Sequence, residues 1–180
     1  LNKLMKALHL KSVHTVAKYT AYLEEAYLIF SLSRYSPKSR QRINSPKKVY
    51  VVDNGFVTAK AIQHSPDKGK LMENLVFTEL VKRGVKPSRE LFYYKTRNDR
   101  EIDFVVKKET EVIELIQVCY ESINPDVEQR ETKALVEASG ELNVKKLTVL
   151  TWDEKREVEK DGLVIQFKPL WEWLLEKTQE

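Results

Sequence analysis

Residues 101–121, EIDFVVKKETEVIELIQVCYE, decide the fold. Two runs of aliphatic and β-branched residues flank a short charged turn, so the stretch reads as two strands, 100–108 and 111–121, joined in a hairpin. Asp103 stands inside the first strand. On the second, Gln117 and Cys119 share a face because side chains alternate every two residues. Such a hairpin can be the metal-binding edge of a nuclease, in which case the second strand ought to offer a carboxylate and a lysine. Here it offers Gln117 and Cys119.

Working outward, GKLMENLVFTELVKRG (69–84) is a periodic helix with Leu71, Leu75, Val76, Phe77 and Leu80 on its buried stripe and Gly84 at its end. Glu73 and Glu79, six residues apart, do not share a face. A strand is expected at 90–96 and a helix at 125–139, opened by Pro125 and closed before Gly140. Strands follow at 145–152 and 163–170, and LWEWLLEK closes as a helix. Trp152, Trp171 and Trp173 read as core and C-terminal packing. The order is α-β-β-β-α-β, then β-α: a three-strand meander and a fourth strand reached by a helical crossover. The fold class is α/β, mixed α+β.

The charge of +4 over 180 residues is unevenly placed. Residues 1–70 carry 13 Lys/Arg against 4 Asp/Glu, and residues 71–180 carry 18 against 23. This asymmetry predicts two modules, residues 1–62 and 70–180, divided within QHSPDKGK (63–70). LNKLMKALHL opens as a short helix, and Ser12 caps a second, SVHTVAKYTAYLEEA. Val13, Val16, Ala17, Thr20 and Leu23 are expected to face a core, with His14, Thr15, Lys18, Tyr19 and Tyr22 outward. Strands at 27–33 and 47–53 enclose RYSPKSRQRINSPKK, which holds Arg34, Lys38, Arg40, Arg42, Lys47 and Lys48 and no acid.

Helix, tight turn, helix and a hairpin with a basic tip form the order of a winged helix-turn-helix. The second helix of that motif enters a major groove while the wing meets phosphates. The nucleic-acid-binding set is then His14, Thr15, Lys18, Tyr19, Arg34, Lys38, Arg40, Arg42, Lys47 and Lys48, and the partner is duplex DNA. The alternative is a solvated basic loop on a winged helix that mediates protein contacts. A complete domain of this kind normally has a further helix before Leu1, so the chain is expected to begin inside a domain, as a fragment.

The residues GKLMENLVFTEL, FYYKTRNDREIDFVV and LIQVCY resemble the PD-(D/E)XK nuclease-like fold. With SVHTVAKYTAYLEEAYLIF and KKVYVVDNG, nearly the whole chain resembles the C-terminal region of archaeal and bacterial ATPases that carry a winged helix followed by that fold. The resemblance implies an upstream ATPase domain in a parent protein. No G-x-x-x-x-G-K-[ST] occurs here, so ATP binding is not expected of this chain.

For the nuclease-like domain the resemblance implies a Mg²⁺ site with Glu73 and Asp103 as ligands. Gln117 stands at the third, carboxylate position and Cys119 at the lysine position. An amide oxygen can still ligate Mg²⁺, without charge, but a neutral thiol cannot replace lysine. Arg130 or Lys133, on the following helix, could supply the missing cation. The other reading of Asp103 is structural, paired with Arg100 or Lys95.

The one cysteine excludes a disulfide framework. His9, His14 and His64 all lie outside the second module, so no Cys–His pair is visible. No apolar run approaches the roughly 20 residues of a membrane span, and a cytoplasmic location is expected. The leading function is DNA binding by an ATPase C-terminal region whose nuclease-like domain is degenerate. Its rivals are a Mg²⁺-dependent nuclease and a protein-interaction module joining an ATPase to a partner, such as the other half of a toxin–antitoxin or defence pair.

Overall fold

The computed structural model describes residues 2–60, 67–121 and 125–176. His64 and the first half of the expected break at 63–70 lie outside them. The elements run α1 (Asn2–Ala7), α2 (Val13–Glu25), β1 (Ile29–Leu32), α3 (Ser39–Asn44), β2 (Lys48–Val51), α4 (Asn54–Lys60), α5 (Lys68–Lys82), β3 (Leu91–Lys95), β4 (Glu101–Lys108) and β5 (Glu111–Cys119). They continue with α6 (Pro125–Leu142), β6 (Leu147–Thr151), β7 (Arg156–Lys160), β8 (Leu163–Pro169) and α7 (Leu170–Leu175).

Six strands form one mixed sheet in the order β3-β4-β5-β6-β8-β7. The meander β3-β4-β5 is antiparallel, as its short turns require, and β6 returns parallel to β5 after α6. Helices cover both faces. On one side α5 and α7 pack Val76, Phe77, Leu80 and Trp173 against Phe104, Ile116 and Leu150. On the other, Ala134, Leu135 and Ala138 of α6 cover Ile102, Leu115 and Val149.

The pair β1–β2 is antiparallel, and its residues Leu32 and Tyr50 enter the same core cluster as α5. Beyond β1 the chain reaches the β3 edge of the large sheet, where the Tyr35 amide donates to the Tyr93 carbonyl. An otherwise open edge is thereby covered.

Several elements depart from expectation. The helix from Pro125 passes through Gly140, whose surroundings are open space, and stops at Leu142. Asn143, at φ 55°, supplies the left-handed residue that a helix end needs, and the Val144 amide donates back to Ser139. β7, with the charged sequence REVEK, adds an edge strand, and the basic segment between β1 and β2 contains α3.

In α2 only Val16 is buried; Ala17 and Leu23 are exposed. The main neighbours of this helix are β1 and the six-residue α1, which has no buried residue, so they cover little of its length. Trp173 is buried, whereas Trp152 and Trp171 are exposed, Trp152 with its ring against Tyr120.

Candidate functional site

Ser12 caps α2 as its hydroxyl accepts from the His14 amide, and Asp67 caps α5 through the Lys70 amide. The second cap starts α5 so that Glu73 lies about one and a half turns further on, facing β2 and β4. A bulge completes the arrangement. Phe92 pairs with Val105 and Tyr94 with Ile102, so Tyr93 alone opposes Asp103 and Phe104. The extra residue sends Ile102 and Val105 to the α6 side and turns Phe104 toward α5. Asp103 is directed to the α5 side as well, where it meets a cation.

That cation is Lys48 of β2. Its ammonium lies 2.9 Å from Glu73 Oε1, 2.9 Å from Asp103 Oδ1 and 2.8 Å from Glu101 Oε1. The Tyr50 hydroxyl donates to the same Glu73 oxygen at 2.7 Å, and the Val118 amide donates to Asp103 Oδ2 at 3.1 Å. Asn74, one residue on from Glu73 and buried, accepts from the Val51 amide and donates to the Val51 carbonyl. It holds the free edge of β2 as a neighbouring strand would.

The structural alternative for Asp103, a pairing with Arg100 or Lys95, is not what the chain adopts. Arg100 binds Glu137, and Lys95 lies beside Asp99 and Glu101.

Burial opposes the charge on Lys48, but Asp103 and Glu73 beside it outweigh burial and hold its pKa above the ordinary lysine value. Burial and the neighbouring Glu73 carboxylate push Asp103 up to about 7, with Lys48 acting in the opposite sense. The Tyr50 hydroxyl is raised by burial and then by Glu73, and stays a donor.

For Asp103 the folded-state value lies above the ordinary one, so its contribution to stability is complete below about pH 4. It is lost as pH rises toward 7, while the unfolded chain releases a proton that the folded chain retains. Urea unfolding of wild type and Asp103→Asn across pH 4 to 8 measures this: the wild type should lose stability relative to the variant over that window, and parallel curves would count against it.

Gln117 links β4 to α6. Its Oε1 accepts from the Asp103 backbone amide at 3.2 Å, and its Nε2 donates to Glu131 Oε2 at 2.6 Å. Glu131 of α6 is buried, and its other oxygen accepts from Arg130. Nothing in the sequence reading singled out Glu131; its place within the apolar face of α6, next to Ala134 and Leu135, was the available signal.

Cys119 is buried, and burial together with Glu131 pushes its thiol up to about 11, so it is neutral at pH 7. Arg130, Glu131 and Cys119 line a cleft of about 730 Å³ with Lys68 and Tyr120. Lys133 is exposed on the same helix. Glu73 and Asp103 are therefore brought together, Gln117 contacts Asp103 through the backbone, and Lys133 is apart from them.

The Mg²⁺ that the resemblance implies does not fit these residues. The space shared by the three carboxylates holds the Lys48 ammonium, and Gln117 has both amide atoms engaged elsewhere. With the Lys48 ammonium between these acids, no group of three or more His, Cys, Asp or Glu side chains among the described residues is placed to hold a metal ion.

The expected nucleic-acid set is divided. Lys38, Arg40, Arg42 and Lys47 are exposed around α3, and among the described residues none of them pairs with a carboxylate. Lys48 of the basic run turns inward to the carboxylates. Arg34 is half-buried and donates to the Lys95 carbonyl. On α2, His14, Lys18 and Tyr19 are exposed, with the Lys18 ammonium 5.6 Å from the centre of the Tyr22 ring, and Thr15 is half-buried. Among the described residues no helix is long and apolar enough to cross a membrane.

A protein-family model described as Domain of unknown function (DUF8612) matches residues 1–67. An uncharacterized protein of Methanocaldococcus jannaschii is 37% identical over 166 residues, covering 89% of this chain and 36% of the relative. An uncharacterized protein of Haemophilus influenzae is 28% identical, covering 92% and 38%. The chain thus spans little more than a third of the length of these relatives.

A chain in the structure of a Thermococcus gammatolerans assembly of McrB AAA+ hexamers with bound McrC aligns at a TM-score of 0.40 and 14% identity, over 58% of this chain and 28% of that one. A second family model, Domain of unknown function (DUF4143), matches residues 68–173, more than half of the sequence, and the chain belongs to that family.

Proposed function

We propose that this chain is a duplex-DNA-binding region, built from a winged helix-turn-helix and a PD-(D/E)XK-like domain that has lost its nuclease chemistry, and that it serves a longer protein with an ATPase domain. The observation that carries the reading is the exposed basic surface around α3. Lys38, Arg40, Arg42 and Lys47 stand free of carboxylates there, in a segment of 15 residues without an acid, RYSPKSRQRINSPKK. Cations so placed neutralise phosphates and release counterions, which makes affinity depend on salt.

The α-β-β-β-α-β order from α5 to β6 supports the nuclease-like assignment. Gln117 and Cys119 at the positions of the third acid and the lysine support the loss of cleavage. ATP turnover, and any partner that the ATPase serves, belong to the longer protein.

Fluorescence anisotropy with a labelled duplex, over a series of NaCl concentrations, tests the DNA reading. Affinity should fall steeply with salt, and Arg40→Glu with Arg42→Glu should lower it by about tenfold or more at fixed salt. Equal affinity of wild type and the double variant would remove the proposal. Plasmid incubated with Mg²⁺ or Mn²⁺ should stay uncut.

A second reading, protein interaction, is favoured by the α1–α2 face. Leu4, Leu8, Tyr19, Tyr22, Leu23 and Tyr27 are all exposed there. Retention of one protein partner after nuclease treatment, lost in Leu8→Asp with Tyr22→Asp, would support it over DNA contact.

A further inference from the structure

The carboxylate centre is built as a cation site, yet its cation belongs to the chain. Glu73 comes from α5, Glu101 and Asp103 from β4, and all three converge on one point that Lys48 reaches from a strand 25 residues before Glu73 and 55 before Asp103. The lysine side chain is 20% exposed and the Asp103 side chain 12%. Hydrogen bonds from Tyr50 and Val118 hold two of the acids in place beside it. A solvated surface pair has no need of three acceptors and two supporting donors. Buried charges of one sign do need a counter-ion, and hard oxygen ligands accept either an ammonium or a divalent metal.

We infer that Lys48 is a built-in substitute for a divalent cation, so that the carboxylate centre is a socket for β2 and its occupation by Lys48 excludes a metal ion. Two consequences follow from the geometry. The site works without metal as a fastener between the N-terminal segment and the sheet. Removing the ammonium while keeping the three acids converts the socket into a divalent-cation site. The inference concerns the site in the sheet and stands independently of whether α3 binds DNA.

Titration of the 180-residue chain with MnCl₂ alone, followed by calorimetry and by thermal melting, tests it. Wild type should give no saturable heat and no rise in melting temperature. Lys48→Met should bind Mn²⁺ saturably, about tenfold or more tighter than any wild-type response, with a melting temperature that climbs with Mn²⁺. Adding Asp103→Asn to that variant should abolish both signals.

A folded Lys48→Met protein that ignores Mn²⁺ overturns the inference. So does wild-type Mn²⁺ binding as tight as the variant's and sensitive to Asp103→Asn, because the ammonium would then exclude nothing. If Lys48→Met fails to fold, Lys48→Gln takes its place in the same titrations, and the same outcomes decide.

Discussion

Replacing Lys48 by methionine should destabilise the protein by about 2–4 kcal/mol at neutral pH in metal-free buffer. Removing one partner of a fully buried ion pair typically costs about 3–5 kcal/mol, because the other charge stays desolvated and alone. Here the loss leaves three acids, which enlarges it, but Lys48 is 20% exposed and Glu101 39%, which lets water take part of the charge.

The pH dependence separates this cause from lost packing. Lys48 acts against the upward push on Asp103, so without the ammonium the folded-state pKa of Asp103 moves further upward and the variant binds a proton there more readily folded than unfolded. Its deficit should be smaller near pH 5 than near pH 8. Methionine keeps most of the aliphatic stem, so a deficit equal at both pH values in urea titrations would assign the role of Lys48 to packing.

The residues that made this centre legible were few. EIDFVV and EVIELIQV declared themselves as strands because β-branched and aliphatic residues dominate them, and α5 because its apolar residues recur at helical spacing. Glu73 and Asp103 were readable as a pair only through the likeness to a nuclease-like fold. The bulge at Tyr93 was not legible, since it breaks the two-residue period by which strand faces are assigned.

Lys48 was hidden for another reason. It sits in a run of cations whose common reading is solvent and phosphate, and only tertiary contact distinguishes it from Lys47, its neighbour. The alternation of a strand accounts for the difference afterwards: Lys48 and Tyr50 share one face of β2, and that face meets α5. β7 escaped notice because its charges are those of a protected edge, with Glu157 and Glu159 exposed. The winged-helix order was read from element types, and the shallow burial of α2 shows how little periodicity says about what lies opposite a helix.

Phe77→Ala should cost about 3–5 kcal/mol, and both parts of the chain should lose structure together. The sequence divides near residues 63–70 by charge, and the two family models divide it at 67. Energetics need not follow that line.

Phe77 is 0% exposed, and its ring stacks on Tyr50 of β2 with centroids 4.1 Å apart and planes 7° apart. It also meets Phe30 of β1 at 5.7 Å and Phe104 of β4 at 6.4 Å. One aromatic side chain of the DUF4143 segment therefore forms the floor on which the β1–β2 pair rests, and Asn74 and the Lys48 centre fasten the same strand a turn away. Alanine would open a cavity bounded by residues from both sides of the charge boundary, so the loss cannot be confined to one.

The three tryptophans, at 152, 171 and 173, report only on the C-terminal part, whereas amide exchange at Phe30 and Tyr50 reports on the N-terminal strands. In urea the two probes should give one coincident midpoint in wild type and one, shifted down, in the variant. An N-terminal midpoint that stayed in place while the tryptophan signal moved would mean that the chain is energetically two domains, and that the aromatic stack between them contributes little.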